Sequence, residues 1–208
     1  VRDAPALLVT WFLGSQTGPA VADILFGDAS PSARLPVGFP QTPGQVPYYY
    51  AHKRTGRPEL DADPNLPYKA RYLDATNEAL YPFGFGLGYA PVRYTALEVS
   101  PARLPWNGAL RIKARIGNEG QRDVEEVAQL YIGERAASVT RPVRELKAFR
   151  KVRVPAGGST EVEFSLSRAD LMFIGQDLQP TVEPGQFDLW VGPSAVAGLH
   201  AGFELLPP

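Results

Sequence analysis

The feature that most constrains the fold is a period-two alternation of apolar and polar residues that begins at Tyr94. Leu110 to Ile116 shows it most clearly, and it returns in segments 128–132, 162–166, 187–191 and 199–205. Such alternation is typical of strands with one buried face. Gly-, Pro- and Asn-containing turns separate these segments, at 118–120, 155–158, 183–185 and 192–194. Residues 94–208 therefore predict a β-sandwich of the immunoglobulin or fibronectin type III kind.

The first forty residues have a different pattern. A continuous apolar run, Ala6–Phe12, predicts a strand buried on both faces, with Trp11 packed at its end. Pro19 and Gly27 bracket an amphipathic segment that predicts a helix, and Leu35–Phe39 predicts a second short strand. One strand–helix–strand unit cannot cover both faces of its sheet. Residues 1–40 are therefore expected to be the incomplete end of an α/β domain, giving an α/β plus all-β fold class.

Residues 41–93 are expected to form an irregular excursion and linker. Residues 40–90 contain seven prolines and an eighth follows at Pro91, a density that disfavours regular helix. Seven tyrosines also lie between residues 48 and 89. A long irregular segment rich in tyrosine is commonly functional or interfacial. The glycines of Gly84–Gly88 lack a following helix, so an interdomain turn with close backbone packing explains them better than a phosphate loop.

Composition excludes several classes of function. The chain has no cysteine, only two histidines (His52 and His200) and no metal-ligand spacing, so we expect neither a metal nor a cofactor. A net charge of −1 gives no support to a nucleic-acid partner, and no apolar run is long enough to predict a membrane span. The sequence starts at Val1 and its single Met is Met172, so we expect further residues before Val1.

No pair of catalytic carboxylates is predicted within the chain. Asp28 is expected to cap a loop or to pair with Arg34. Four glutamates fall on polar strand faces and are expected to be solvated, without the apolar surroundings that raise the pKa of a general acid: Glu125, Glu126, Glu161 and Glu163. No Gly-x-Ser-x-Gly motif is present.

The segment 48–58 is the best candidate for binding. Aromatic faces stack on sugar rings while His and Arg donate hydrogen bonds to hydroxyl groups, so Tyr49, His52 and Arg57 are candidate substrate-binding residues. Tyrosine and arginine also dominate protein interfaces. A packing loop or a subunit contact is therefore the preferred alternative, and a homodimer stays open. Trp106 and Trp190 are expected to pack in the core or at its edge.

Several motifs together resemble glycoside hydrolase family 3. The first half resembles the closing part of that family's α/β-sandwich domain, and the second half its C-terminal fibronectin type III-like domain. The resemblance is carried by Trp11–Gly14, Ala22–Asp28, Pro31–Pro36, Val46–Tyr49, the His52-x-x-Thr-Gly-Arg-Pro58 loop, Leu80–Tyr89, Val127–Tyr131, Arg141–Lys147 and Glu183–Phe187. One departure is Gly14-Ser-Gln-Thr-Gly18, where many relatives have Gly-x-Glu-Gly-Gly.

The resemblance implies a retaining, exo-acting β-glucosidase, periplasmic or secreted, that acts on β-glucosides or oligosaccharides. It also implies that both catalytic carboxylates lie upstream of Val1, so the N-terminal remainder of the enzyme is the expected partner and the chain alone is expected to be inactive. Three alternatives stay open: a β-xylosidase or exo-glucanase specificity, a non-catalytic carbohydrate-binding module, and a purely structural sandwich.

Overall fold

The computed structural model describes residues 4–56 and 68–208. Within these ranges the chain forms one α-helix, ten strands and two 3₁₀ turns, at Pro43–Gln45 and Arg168–Leu171. The helix and strands are α1 (Thr17–Phe26), β1 (Val92–Ser100), β2 (Arg103–Leu104), β3 (Ala109–Asn118), β4 (Val124–Glu134), β5 (Glu145–Val154), β6 (Ser159–Ser167), β7 (Phe173–Ile174), β8 (Pro180–Thr181), β9 (Gly185–Gly192) and β10 (Leu199–Leu205). No helix of the described residues is both long and apolar enough to span a bilayer.

The strands from β1 onward form a sandwich of two main sheets. One sheet has the order β1-β3-β6 and the other β2-β10-β9-β4-β5, while β7 and β8 make a separate two-stranded ribbon. The register places Ile112 opposite Phe164 in the first sheet and Leu130 opposite Val191 in the second. These side chains are almost entirely buried. The five alternating segments of the sequence all lie in strands, which confirms the predicted sandwich.

Helix α1 is the predicted helix of the N-terminal region. It ends where Gly27 adopts the left-handed conformation (φ +83°), and the Gly27 N–H bonds to the Ile24 carbonyl at 3.1 Å. None of its residues is buried. Two side chains from the rest of the chain bond to its last turn: Arg122 Nη2 donates to the Gly27 carbonyl and Tyr89 Oη to the Ile24 carbonyl, both at 2.6 Å.

Two strand predictions for the N-terminal region are wrong in this chain. Residues 6–12 form no strand, and Trp11, expected to pack in the core or at its edge, is 55% exposed. In place of a second strand over 35–39, only a single bridge joins Phe39 to Tyr81. A strand exists only when a neighbour accepts its hydrogen bonds, and among the described residues no parallel neighbour reaches these two segments.

The Gly84–Gly88 turn joins the two regions, and its predicted close packing is confirmed. Gly84 has φ +79°, and a Cβ atom there would collide with the Gln129 side chain of β4. A Cβ on Gly86 would come within 2.7 Å of the Ala33 carbonyl oxygen. Both positions therefore require glycine, and the N-terminal region rests directly on the sandwich through them.

Candidate functional site

The Tyr48–Gly56 loop, which carries the candidate binding residues Tyr49 and His52, follows a segment that is held by hydrogen bonds. Gln45 is 1% exposed, and its Nε2 donates to the Thr76 carbonyl at 2.8 Å while its Oε1 accepts from the Gln41 N–H at 2.6 Å. Tyr48 continues this set of hydrogen bonds, because its Oη donates to the Asn77 carbonyl at 3.1 Å. Burial raises the pKa of the Tyr48 phenol, so the phenol stays protonated as a donor.

Tyr50 attaches the loop to the sandwich. Its ring stacks on Phe83, with centroids 4.2 Å apart, and meets the fully buried Tyr131 edge-on at 6.0 Å. Its hydroxyl accepts a hydrogen bond from the Leu146 N–H at 3.3 Å. Aromatic pairs of this kind favour a defined ring geometry. Tyr50 was not among the residues predicted to bind, although it lies between Tyr49 and His52 in the sequence.

Two of the predicted binding residues, Tyr49 and His52, are exposed on either side of Tyr50 in the sequence. Tyr49, between the partly buried Tyr48 and Tyr50, is 67% exposed. His52 is also exposed, and its Nδ1 lies 3.2 Å from the Lys53 carbonyl oxygen. Among the described residues, no hydrogen bond or ring contact joins Tyr49 to His52. Arg57 lies outside the described residues. The Tyr49 ring and the His52 imidazole are thus both accessible to solvent.

The backbone of the loop is fastened to the Arg141–Leu146 segment, which leads from β4 into β5. The Val143 N–H donates to the His52 carbonyl at 2.9 Å, and Lys53 forms a β-bridge with Pro142. Backbone pairing of this type fixes direction and spacing without using side chains. The Tyr48–Gly56 loop is therefore positioned by the sandwich and not by its own sequence alone.

Arg141 holds this segment against the sandwich. Its Nη1 donates to Glu134 Oε2 at 2.9 Å and its Nη2 to Glu145 Oε2 at 3.1 Å. Its guanidinium carbon lies 4.1 Å from the centroid of the Phe173 ring. The side chain is only 7% exposed. A guanidinium suits this position because its planar fork can bond two carboxylates and stack on an aromatic ring at once.

Arg144 fixes the other end of the segment. Its guanidinium lies 4.0 Å from the Trp190 ring centroid and its Nη1 donates to the Ala195 carbonyl. Burial lowers the pKa of this arginine, which nevertheless stays charged at any physiological pH. Trp190, expected in the core or at its edge, is partly buried beneath this stack.

Glu134 is the one carboxyl of the described residues whose pKa is raised, and the sequence analysis missed it. Burial, together with the charges of Glu183 and Glu145, raises its pKa to about 7 in spite of Arg141. A carboxyl with such a pKa suits a general acid. Its side chain is only 1% exposed and Arg141 lies against it, however, so a sugar cannot reach it. Glu134 ends the wholly buried stretch Ala128–Glu134, and this burial is visible only in the structure.

A second polar cluster lies in a cleft of about 480 Å³ between the two regions. Arg34 Nη2 donates to Glu126 Oε2, and Tyr94 Oη donates to Glu126 Oε1 at 3.0 Å. The prediction of a solvated Glu126 is wrong, since the residue is 3% exposed. Asp28 was one expected partner of Arg34, yet the ion pair forms with Glu126. The strand face that carries Glu126 is covered by the N-terminal region, which strand periodicity alone does not reveal.

Within residues 4–56 and 68–208, no group of three His, Asp or Glu side chains could hold a metal ion. Glu161 and Glu125, two of the acids expected on polar strand faces, form surface ion pairs: Lys113 Nζ lies 2.8 Å from Glu161 Oε1, and Lys151 Nζ lies 2.7 Å from Glu125 Oε2. Hydrogen bonds from these lysines lower the pKa values of Glu161 and Glu125. These carboxylates are therefore unsuited to proton donation.

Family models match both regions of the chain. Residues 1–89 match the glycosyl hydrolase family 3 C-terminal domain, and residues 126–195 match the fibronectin type III-like domain. The fold class expected from the sequence, the end of an α/β domain followed by a fibronectin type III-like sandwich, is confirmed by these matches.

Relatives and solved structures agree with the family matches. A periplasmic beta-glucosidase of Salmonella typhimurium is 38% identical over 99% of this chain, which spans 27% of that protein. A putative beta-xylosidase of Formosa agariphila is 33% identical over 98% of the chain and 26% of its own length. The crystal structure of a beta-glucosidase from Listeria innocua in complex with glucose superimposes with a TM-score of 0.86 at 38% identity, covering 94% of this chain and 27% of that one.

Proposed function

The chain belongs to glycoside hydrolase family 3, and we propose that it is the C-terminal part of a retaining, exo-acting β-glucosidase that releases terminal β-D-glucosyl residues. The observation that carries this proposal is the 38% identity over 99% of the chain to a protein named as a beta-glucosidase, of which the chain spans only 27%. The matching structure in complex with glucose supports the same sugar class. A relative with the word periplasmic in its name supports a periplasmic or secreted location.

Retaining hydrolysis uses one carboxylate as nucleophile and a second as acid and base, with the two about 5 Å apart. We place both carboxylates in the N-terminal remainder of the enzyme. The described part of this chain supports that placement, because its one carboxyl with a raised pKa, Glu134, is closed off by Arg141. The chain alone is then inactive, and activity requires the whole polypeptide.

The N-terminal region of this chain supplies a surface for that remainder. Large apolar side chains on and before α1 face solvent, where contiguous apolar patches mark interaction sites: Leu7, Trp11, Phe12, Leu25 and Phe26. An α/β sheet buries such side chains between its strands and helices. We assign this surface to the rest of the α/β domain within the same polypeptide.

The Tyr48–Gly56 loop extends the substrate pocket. Tyr49 offers a ring for the apolar face of a glucosyl unit, and His52 offers a donor for its hydroxyl groups. The exposure of both side chains beside a loop backbone held by the sandwich supports this role. Arg57, which lies outside the described residues, belongs to the same proposed set. The pocket served is that of the same subunit or of a second copy in a homodimer.

Substitutions in the full-length enzyme test the role of the loop. Tyr49→Ala, His52→Ala and Arg57→Ala are each expected to lower kcat/KM for cellobiose by roughly fivefold, since each removes a sugar contact worth about 1 kcal/mol. Arg103→Ala is the control, because it removes an exposed side chain of the sandwich surface that pairs with Glu204. Unchanged kcat/KM in all three variants would contradict the role. Light scattering of the same preparations shows whether the enzyme is a monomer or a dimer.

A β-xylosidase is the second candidate, favoured by relatives of that name at 33% and 35% identity. Aryl β-D-glucoside and aryl β-D-xyloside differ only in the C6 hydroxymethyl group. A glucosidase is expected to have the larger kcat/KM for the glucoside, because a pocket that hydrogen-bonds this group rejects a substrate lacking it. A larger value for the xyloside would replace the glucosidase assignment.

A further inference from the structure

The Arg141–Leu146 segment contacts the Tyr48–Gly56 loop at three points. The Val143 N–H bonds to the His52 carbonyl at 2.9 Å, Pro142 pairs with Lys53, and the Leu146 N–H bonds to the Tyr50 hydroxyl at 3.3 Å. Two of these contacts involve the backbone of His52 and Lys53, directly beside the exposed histidine. Any displacement of the segment is therefore passed to the part of the loop that faces outward.

One buried cation holds the segment in place. Arg141 bonds Glu134 on β4 and Glu145 at the start of β5, and it stacks on Phe173 of β7. These contacts join three elements around a side chain that is 7% exposed. Close packing reinforces them, because a Cβ on Gly133 would lie 2.8 Å from the Val143 carbonyl oxygen. The guanidinium thus fixes the distance between the segment and the second sheet.

We propose that Arg141 is a positioning residue, which sets the conformation of the Tyr48–Gly56 loop through the Arg141–Leu146 segment. The proposal rests on the proposed function in one respect: the loop must contact substrate for its conformation to affect hydrolysis. Arg141 itself reaches no sugar, because its donors are directed at Glu134 and Glu145. Its effect is on the placement of Tyr49 and His52.

The contacts of Arg141 can be made by arginine but not by lysine. A lysine keeps the positive charge, but one ammonium cannot reproduce a planar fork with bonds to two carboxylates and a stack on a ring. Removal of the charge in Arg141→Ala leaves Glu134 buried without its cation. We therefore expect a graded series, with Arg141→Lys between the native enzyme and Arg141→Ala.

The deciding measurement is hydrogen exchange in the full-length enzyme. Arg141→Lys is expected to accelerate exchange of the Val143 and Leu146 amides and of residues 48–56 by about tenfold, and Arg141→Ala by more, because their protecting bonds open more often. Arg103→Ala is the matched control, since Arg103 forms an exposed pair with Glu204 at 2.9 Å. If Arg141→Ala fails to fold, Arg141→Lys carries the test alone. Unchanged exchange at residues 48–56 in the lysine variant overturns the proposal.

Kinetics separate this proposal from the function on which it rests. A positioning role predicts a roughly tenfold rise in KM for aryl β-D-glucoside with kcat within about twofold, because loop placement affects binding and leaves the carboxylates of the N-terminal remainder unchanged. If His52→Ala raises KM while Arg141→Lys leaves it unchanged, the positioning role is overturned and the loop's contact with substrate stands. If His52→Ala has no effect while exchange at residues 48–56 accelerates in Arg141→Lys, the substrate contact fails and the control of the loop by Arg141 stands.

Discussion

In the sandwich, large apolar side chains such as Ile112, Leu130 and Phe187 are almost entirely buried, whereas before Val92 side chains of the same kind face solvent. Phe12, which precedes α1, is 104% exposed, and Phe26, the last residue of α1, is 84% exposed. Apart from Ala90, every residue of the buried core cluster lies between Leu104 and Leu205. Large apolar side chains thus form a closed core in one region and an open surface in the other.

The difference lies in whether the chain supplies its own partners. Each alternating strand of the sandwich has a neighbour within the chain, so its backbone is paired and its apolar face meets a second sheet. The run at residues 6–12 has no such neighbour among the described residues, so it forms no strand and buries little. Local sequence therefore determines the sandwich, whereas the N-terminal region depends on further structure.

The largest expected effect is the difference in unfolding free energy between Phe187→Ala in the sandwich and Phe12→Ala in the N-terminal region. Phe187→Ala is expected to lower the free energy of unfolding of this chain by about 3–5 kcal/mol, because it opens a cavity where the ring stacks on Phe203 with centroids 5.0 Å apart. Phe12→Ala is expected to change it by less than about 0.5 kcal/mol, since an exposed ring loses no packing. Urea denaturation followed by circular dichroism measures both values.

Phe12→Ala is expected to have a different effect in the full-length enzyme. There the proposed cover over the N-terminal region buries Phe12, so Phe12→Ala is expected to lower the melting temperature that it leaves unchanged in the 208-residue chain. Equal insensitivity in both proteins would contradict the assignment of this surface to the rest of the α/β domain.

The next largest effect concerns the ion pair between Arg34 in the N-terminal region and Glu126 in the sandwich. Glu126→Ala is expected to destabilise the chain by about 3 kcal/mol, because it leaves the Arg34 guanidinium buried without its carboxylate. Glu125→Ala, one residue away, removes only an exposed pair with Lys151 and is expected to change stability little. Thermal unfolding of the two variants provides the comparison. Equal losses would show that the pair with Arg34 contributes no more than a surface pair.

The sequence predicted the sandwich well because alternation and turn residues are local signals. Strand β5, Glu145–Val154, was not predicted separately: it is an edge strand bonded only to β4, and Phe149 on it is 66% exposed. Helix α1 was also predicted, since Pro19 and Gly27 mark its ends. The prediction of a strand over residues 6–12 was wrong, because the sequence of a strand does not show whether a neighbouring strand is present to pair with it.

The candidate site was less predictable, because its geometry depends on contacts across long separations in the sequence. Tyr49 and His52 were identified from residue type, yet Tyr50, Arg141 and Arg144, which determine how the loop lies, were not among the residues predicted to bind. The Tyr50 hydroxyl meets Leu146, 96 residues away along the chain. Glu126 was assigned to solvent because alternation shows which residues share a face and not what covers that face.

A pH-dependent effect is expected within the sandwich from Glu134. Its pKa of about 7 lies above the value of about 4.5 of an unfolded glutamate, so the folded state binds more protons between these values and stability falls as pH rises through them. Arg141, Glu145 and Glu183 are the charged groups that face it. Glu134→Gln should therefore gain stability relative to the native chain, on the order of 2 kcal/mol, between pH 4.5 and 7.5. Urea titrations across this range measure the difference, and a variant less stable than native at pH 8 would show that pairing with Arg141 outweighs burial.

The smallest expected effect comes from replacing a left-handed glycine by alanine, at Gly27 in the N-terminal region and at Gly157 in the sandwich. Gly27 and Gly157 have φ values of +83° and +60°, and a Cβ atom at either meets no atom closer than 3.6 Å. Alanine at each position therefore incurs the same left-handed penalty of about 1 kcal/mol. In Gly157→Ala the penalty should appear in global unfolding, because the turn connects β5 in one sheet of the sandwich to β6 in the other. In Gly27→Ala it should appear only as faster hydrogen exchange in α1, since no residue of that helix is buried. A global loss of about 1 kcal/mol in Gly27→Ala would mean that α1 unfolds together with the sandwich, through the bonds of Arg122 and Tyr89 to its last turn.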